Sequence, residues 1–417
     1  MRTAETVAGL GAFAQRGAGS DAERRAAVWL ADELGGLGRD VAIEPFWSRP
    51  NWALAHAWHV LLALAGSLLS VHHPQLGGAL VLIALLSVLA DALLGSSPGR
   101  RLTPERASQN VVATARGPAP QTAPRPVRVI LTANYDAGRT GLAYRRPLRP
   151  IAAWLRRRSR GITPGWLGWL VVALAWLEVI AIIRLGGTRG TGIGVAQLIP
   201  TAALVVTLAV LLDAGGADFG PAAGDNASGV AVAIELARAL DAAPPRHLAV
   251  DIVLEGGSDG WGIGLRRYLR APHRTIGRTN TVVIGIAPCA GGRPRWWTSD
   301  GALAPLRSFG QLRTLCETIA RTDPALELRP HHGRGNAPGI AARMRRIPTI
   351  TIGCLDDRGL SPRSHESSDT PDTVEEQALD RGVELGLLLI DAIDAHVSRR
   401  SGTVSAPGPS PGGGGSS

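Results

Sequence analysis

The sequence predicts an α/β protein in which a doubly wound, mostly parallel sheet carries helices on both faces and four transmembrane helices are inserted as two hairpins. Two observations carry this reading. The polar stretches alternate helix-period and strand-period patterns, the signature of helices packed on a parallel sheet. Four apolar stretches reach the roughly 20 residues that a helix needs to cross a bilayer, and each pair is joined by a turn too short to form a domain.

Residues 20–36 are amphipathic, with Ala26, Ala27, Leu30, Ala31 and Leu34 at helical spacing, and Gly35 and Gly36 end the helix. A strand follows at Val41–Phe46. Apolar stretches at about 53–71 and 77–95 form the first hairpin, turned at His72, His73 and Pro74. Strands are expected at Asn110–Ala115 and Val127–Ala133. The second hairpin spans about 165–183 and 193–213, with Gly186, Gly187, Arg189 and Gly190 at its turn. A helix at Ala227–Leu240, strands at Leu248–Leu254, Thr281–Ala287 and Thr349–Gly353, and a helix from about Glu376 to Val397 complete the pattern. The soluble domain is thus divided into 1–50, 99–140 and 215–398, interrupted by hairpins at 51–98 and 165–214 and by an Arg-rich juxtamembrane segment at 141–164. The Ser-, Pro- and Gly-rich tail at 399–417 is expected to be disordered.

Composition agrees with a membrane protein. The 417 residues are 45% hydrophobic, and 11 of the 18 aromatics are Trp, which favours membrane interfaces. All 44 basic residues are Arg, a bias that fits a GC-rich genome. The net charge of +10 does not indicate nucleic acid, because much of the Arg flanks the apolar stretches, where anionic lipid accounts for it. Eleven Arg residues lie at the domain ends of the hairpins, among them Arg100, Arg101 and Arg145, against Arg184 and Arg189 at the far turns. By the positive-inside rule this places the domain and both termini in the cytoplasm. Cys289, Cys316 and Cys354 have no pairing or metal spacing, which suits a reducing compartment, and the charged N-terminus does not read as a signal peptide. Glu178 falls inside the third apolar stretch, where a carboxylate serves either helix packing or a proton path.

The residues that carry chemistry stand at strand ends. Leu131-Thr132-Ala133-Asn134-Tyr135-Asp136 closes one strand. Gly224-Asp225-Asn226-Ala227-Ser228-Gly229-Val230 opens a helix, Glu255-Gly256-Gly257-Ser258-Asp259 follows another strand, and Ile284-Gly285-Ile286-Ala287-Pro288 ends a third. The run from Ser364 through His365 and Asp369 to Thr373 precedes the final helix. Together these resemble the co-catalytic di-zinc aminopeptidases, the family of bacterial leucyl aminopeptidase and aminopeptidase Y. The resemblance covers nearly all of the chain outside the hairpins and tail.

The resemblance implies a zinc aminopeptidase fold and assigns a role to each position. Asn134 stands where the family has a zinc-binding His, and Asp136 matches the Asp that orients it. Asp225 matches the carboxylate bridging both zincs. Ser258 stands at the general base, and Asp259 replaces a Glu ligand. Ala287 occupies the place of an Asp ligand, and His365 matches the last ligand. One zinc therefore keeps only the shared Asp225, whereas Asp225, Asp259 and His365 remain for a single site with one open position, so at most one zinc is expected. A Ser hydroxyl at neutral pH cannot take a proton from water as a carboxylate does.

Three function classes follow: a catalytically silent peptidase-like domain that binds a peptide, a lipid or a protein partner at the former cleft, with membrane lipid around its helices; a single-zinc metallopeptidase or other metal-dependent hydrolase; and a small transporter or membrane scaffold. The simultaneous change of the base and two ligands favours the first.

Overall fold

The protein is seen in a computed structural model that describes residues 2–114, 127–145, 150, 153–154, 158–159, 163–259, 261–274 and 276–404. Much of the Arg-rich segment expected at 141–164 and residues 405–417 of the tail lie outside these residues, and residues 399–404, expected to begin a disordered tail, instead continue the final helix.

In chain order the main elements are α1 (Thr3–Gly11), α2 (Asp21–Gly36), β1 (Asp40–Ser48), α3 (Trp52–Leu69), α4 (Pro74–Leu94), β2 (Arg106–Thr114), β3 (Val127–Asn134), α5 (Trp166–Leu185), α6 (Thr191–Gly216), α7 (Ser228–Ala242), β4 (Leu248–Glu255), α8 (Ile263–Arg270), β5 (Thr281–Ile286), β6 (Arg293–Asp300), β7 (Leu306–Arg307), α9 (Gly310–Thr322), β8 (Arg329–His332), β9 (Thr349–Leu355) and α10 (Glu376–Val404). The strands form one sheet in the order β1-β2-β4-β3-β5-β9-β6-β7, with β8 added to β6.

The sheet is mixed, which corrects the expectation of a mostly parallel one. Its centre, β4-β3-β5-β9, is parallel, but β1 pairs with β2, β2 with β4, and β6 with both β9 and β7 in antiparallel register. The flanks carry the difference. β6 reads Arg-Pro-Arg-Trp-Trp-Thr-Ser-Asp and lacks the apolar–polar alternation that announces a strand. His331 and His332 belong to β8.

Strand periodicity divides the core. Val129, Leu131 and Ala133 of β3 face a cluster shared with α1, α2, α7 and α10, while Ile130 faces the opposite cluster with Leu265, Tyr268 and Leu269 of α8. Helices thus cover both faces.

Helices α3, α4, α5 and α6 are long and apolar enough to cross a membrane, and they pack as one bundle in which α3 meets α4 and α6, and α5 meets α4 and α6. Their shared core also takes in Trp261 and Ala302 of the α/β domain. Polar contacts fix the junction. Arg266 of α8 donates to the carbonyls of Ala92 and Leu93, each at 3.2 Å, and so satisfies the C-terminal end of α4. Asn51 donates to the Gly215 carbonyl at 3.0 Å, and the Gly168 amide donates to Ala302 at 3.1 Å. Beside them, fully buried Asp91 accepts two bonds from Arg100, each 2.7 Å, and one from Ser97 at 2.9 Å.

Candidate active-site cleft

Strands β3, β4, β5 and β9 run parallel, so their C-terminal ends share one edge, where ligands bind in open α/β sheets. Asn134 ends β3, Ser258 and Asp259 follow β4, Ala287 follows β5, and His365 lies in the loop after β9. Asp225 sits in a single π-turn, Ala223–Ala227, that leads into α7. Gly229 allows this approach, because a Cβ there would come within 2.9 Å of the Ile286 carbonyl. Asn134, Asp225, Ser258, Asp259, Ala287 and His365 all line one cavity of 490 Å³. Asp136 lies behind it.

Hydrogen bonds fix the geometry. Asp136, wholly buried, accepts from the Ser258 amide at 2.9 Å, from the Asp259 amide at 3.1 Å and from the Ser258 hydroxyl. This carboxylate anchors the turn after β4. Glu23 holds the same turn from the other side, accepting from the Gly257 amide at 2.9 Å and from the Ser108 hydroxyl at 2.8 Å. Asp369 accepts from the amides of Gly224 and Asp225 at 2.8 and 2.9 Å and so shapes the π-turn. Asp225 accepts from Ser364 at 2.8 Å, and its Oδ2 lies 3.5 Å from His365 Nε2. His365 Nδ1 lies 2.8 Å from the Arg139 carbonyl, and the Tyr144 ring stacks on the imidazole at 4.1 Å. Asp259 accepts from the Arg139 amide at 3.3 Å.

Burial dominates the electrostatics. It pushes Asp136 up to about 6, with the neighbouring Asp259 charge adding to it, and Asp369 up to about 7, with Asp225 adding. Burial also raises Asp259, against which the nearby His365 acts. Glu255 is raised to about 7 by burial. It accepts from Thr132 at 2.6 Å and from the Leu265 amide at 3.2 Å, and it is absent from the cavity lining.

Residues 196–389 match the sequence model of Peptidase family M28. That stretch contains Asp225, Ser258, Asp259, Ala287 and His365. Among solved structures the fold is similar to a zinc aminopeptidase from Bacillus subtilis, with 13% identity, a TM-score of 0.53, and 93% of this chain and 94% of that one covered. It is also similar to a glutaminyl cyclase from Porphyromonas gingivalis (14% identity, TM-score 0.51, covering 93% and 96%) and to one from Tannerella forsythia (15%, 0.51, covering 93% and 97%). At these identities the likeness is one of fold. No curated protein matches the sequence.

The M28-like cleft also holds residues that sequence reasoning did not assign. Trp52, Tyr144, Trp166, Trp261, Trp297 and Arg334 line it. Trp52 and Trp166 are the first residues of α3 and α5, and their rings stand 5.3 Å apart. Only tertiary packing brings these positions together. Among the described residues, no three His, Cys, Asp or Glu side chains are grouped so as to hold a metal ion.

Proposed function

We propose that this chain is a membrane-anchored M28-like protein whose cleft binds a ligand without hydrolysing it. The observation that carries the reading is the fate of the general-base position. Ser258 stands there, and its hydroxyl and amide are both bound to Asp136. The Asp that would orient a metal-binding His instead fastens the turn. Asn134 and Ala287 stand at two ligand positions, so the donor set does not fit a pair of zinc ions, which needs carboxylate and imidazole donors around each ion.

A second reading, a single-zinc hydrolase, draws on the 3.5 Å approach of His365 to Asp225. Asp225, Asp259 and His365 would hold the ion, which would supply an activated water. Asp259 would have to move inward to complete such a site. That movement is opposed by the bonds from its own amide and from Ser258 to Asp136, and by the bond from Gly257 to Glu23. The binding reading needs no rearrangement.

Membrane anchoring is supported by the outer surface of the helices, where Leu61, Leu82, Leu86, Val172, Val206 and Leu212 are exposed. So large an apolar surface on a monomer calls for lipid or a partner. The Arg asymmetry supports a cytoplasmic domain.

The test is an aminoacyl-substrate assay on the purified full chain with added zinc. No turnover above background is expected, and Ser258→Glu alone should not restore it. Robust zinc-dependent hydrolysis that disappears in Asp225→Ala would overturn the proposal.

A further inference from the structure

A second cavity, of 220 Å³, lies where the apolar helices meet the α/β domain. Ala92 and Leu93 at the end of α4 line one side, Leu303 and Ala304 in the loop after β6 another, and Ile340 and Met344 a third. The same loop holds the start of α5, since the Gly168 amide donates to the Ala302 carbonyl at 3.1 Å. The cavity therefore sits level with the domain-side ends of both helices. Asn336 and Trp261, which also line the cleft, are its only lining residues with a side-chain nitrogen or oxygen. Its volume falls below the roughly 300–1,000 Å³ of sites that enclose a whole small molecule, and a slim apolar chain fits it better.

Charge around this cavity is one-sided. The segments 92–101, 261–270, 301–307 and 334–346 supply every lining residue, and together they carry ten Arg and no Asp or Glu. Arg266, only 8% exposed, touches the wall, donating to the carbonyls of Ala92 and Leu93 and to Met344 Sδ at 3.1 Å. Among the described residues the one carboxylate whose charge reaches it is Asp91, which Arg100 already holds. Two exposed guanidinium groups stand close by: Arg270 donates to the Leu94 carbonyl at 3.4 Å and Arg345 to the Leu269 carbonyl at 2.8 Å. Like charges gathered in this way repel, and an anion seated among them relieves the repulsion. Leu93 and Leu94 are exposed beside these Arg residues, so an apolar surface and a cationic rim adjoin at the helix end.

We propose that this cavity is a binding site for an anionic phospholipid, with one acyl chain entering between Leu93 and Ala304 and the phosphate met by Arg270 and Arg345. The inference rests on the membrane-anchored part of the reading above. It places the lipid outside the cleft, against the far side of Trp261. Anionic leaflets attract each nearby Arg by an amount equal to about a fivefold change in affinity.

The experiment is native mass spectrometry of the full chain released from maltoside micelles, titrated with dioleoyl phosphatidylglycerol, dioleoyl phosphatidylcholine or glycerol 3-phosphate. One phosphatidylglycerol per chain should bind about tenfold or more tightly than phosphatidylcholine, and glycerol 3-phosphate should not bind at the same concentration. Arg270→Gln and Arg345→Gln should each weaken phosphatidylglycerol about fivefold and leave phosphatidylcholine unchanged. Ala304→Trp, at an exposed position, should fill the cavity and weaken both lipids. Equal affinity for the two lipids overturns the proposal, as does glycerol 3-phosphate binding as tightly as phosphatidylglycerol. So does phosphatidylglycerol binding that is unchanged by the Arg variants or by Ala304→Trp. Release of the chain from cell membranes by a carbonate wash without detergent would refute the membrane anchoring, whereas the titration in micelles decides the lipid site on its own.

Discussion

Asp136→Ala removes the acceptor that holds the turn after β4. The Ser258 and Asp259 amides and the Ser258 hydroxyl lose their partner, and Ser258 is only 2% exposed. Hydrogen bonds to a charged group contribute about 1.5–3 kcal/mol each, so three represent about 4–9 kcal/mol gross. Against this stands the cost of burying the carboxylate. Its pKa rises from 3.8 to about 6, and two units correspond to about 3 kcal/mol at neutral pH. The net loss expected near pH 7.5 is about 1–6 kcal/mol. An acid whose folded pKa is raised stabilises the fold fully below its unfolded pKa and loses that contribution as pH climbs to the folded value. The substitution should therefore cost about 1 kcal/mol more at pH 5 than at pH 7.5. Ser258→Ala, which spares both amide bonds, should cost only about 1 kcal/mol. Urea unfolding of the full chain in detergent micelles, followed by Trp fluorescence at both pH values, measures all of these. An Asp136→Ala variant as stable as the parent, or one that loses more at pH 7.5 than at pH 5, would refute the anchoring role.

Other consequences can be checked on the same preparation. Glu255 and Asp369 are both pushed to about 7 by burial, so their contribution is complete below about 4 and lost as pH rises to about 7. The urea midpoint should accordingly be higher at pH 5 than at pH 8, and the opposite order would contradict the assignment. Asp91→Ala leaves Arg100 buried without its carboxylate and should cost about 3–5 kcal/mol, read as a lower thermal midpoint in micelles; an unchanged midpoint would mean that the pair does not hold the hairpin to the domain. For topology, the three native cysteines are buried and should give little background. A Cys at exposed Gln75 should react with an impermeant reagent in intact cells, and one at Ser416 should not. The reverse pattern would place the domain outside.

The legible parts of the molecule were those with a period or a fixed local spacing. The four apolar helices and the central strands follow from hydrophobic runs, and Asp225, Asp259 and His365 follow from the family resemblance of short loop motifs; all three line one cavity. The antiparallel flanks were not legible, because β6 carries Arg, Pro and Trp without alternation, and its placement comes from pairing with β9. Helices α1 and α9 were also not assigned. The cleft's second wall was invisible for a different reason. Trp52, Trp166, Trp261 and Arg334 lie far apart in sequence, and only the docking of the helices on the domain gathers them.

The central claim is that this cleft binds and does not hydrolyse, and zinc content tests it most directly. Protein purified without chelator and analysed for metal should carry clearly less than one equivalent of zinc per chain, with no change in Asp225→Ala or His365→Ala. One or two equivalents that survive dialysis and are lost on either substitution would contradict the account.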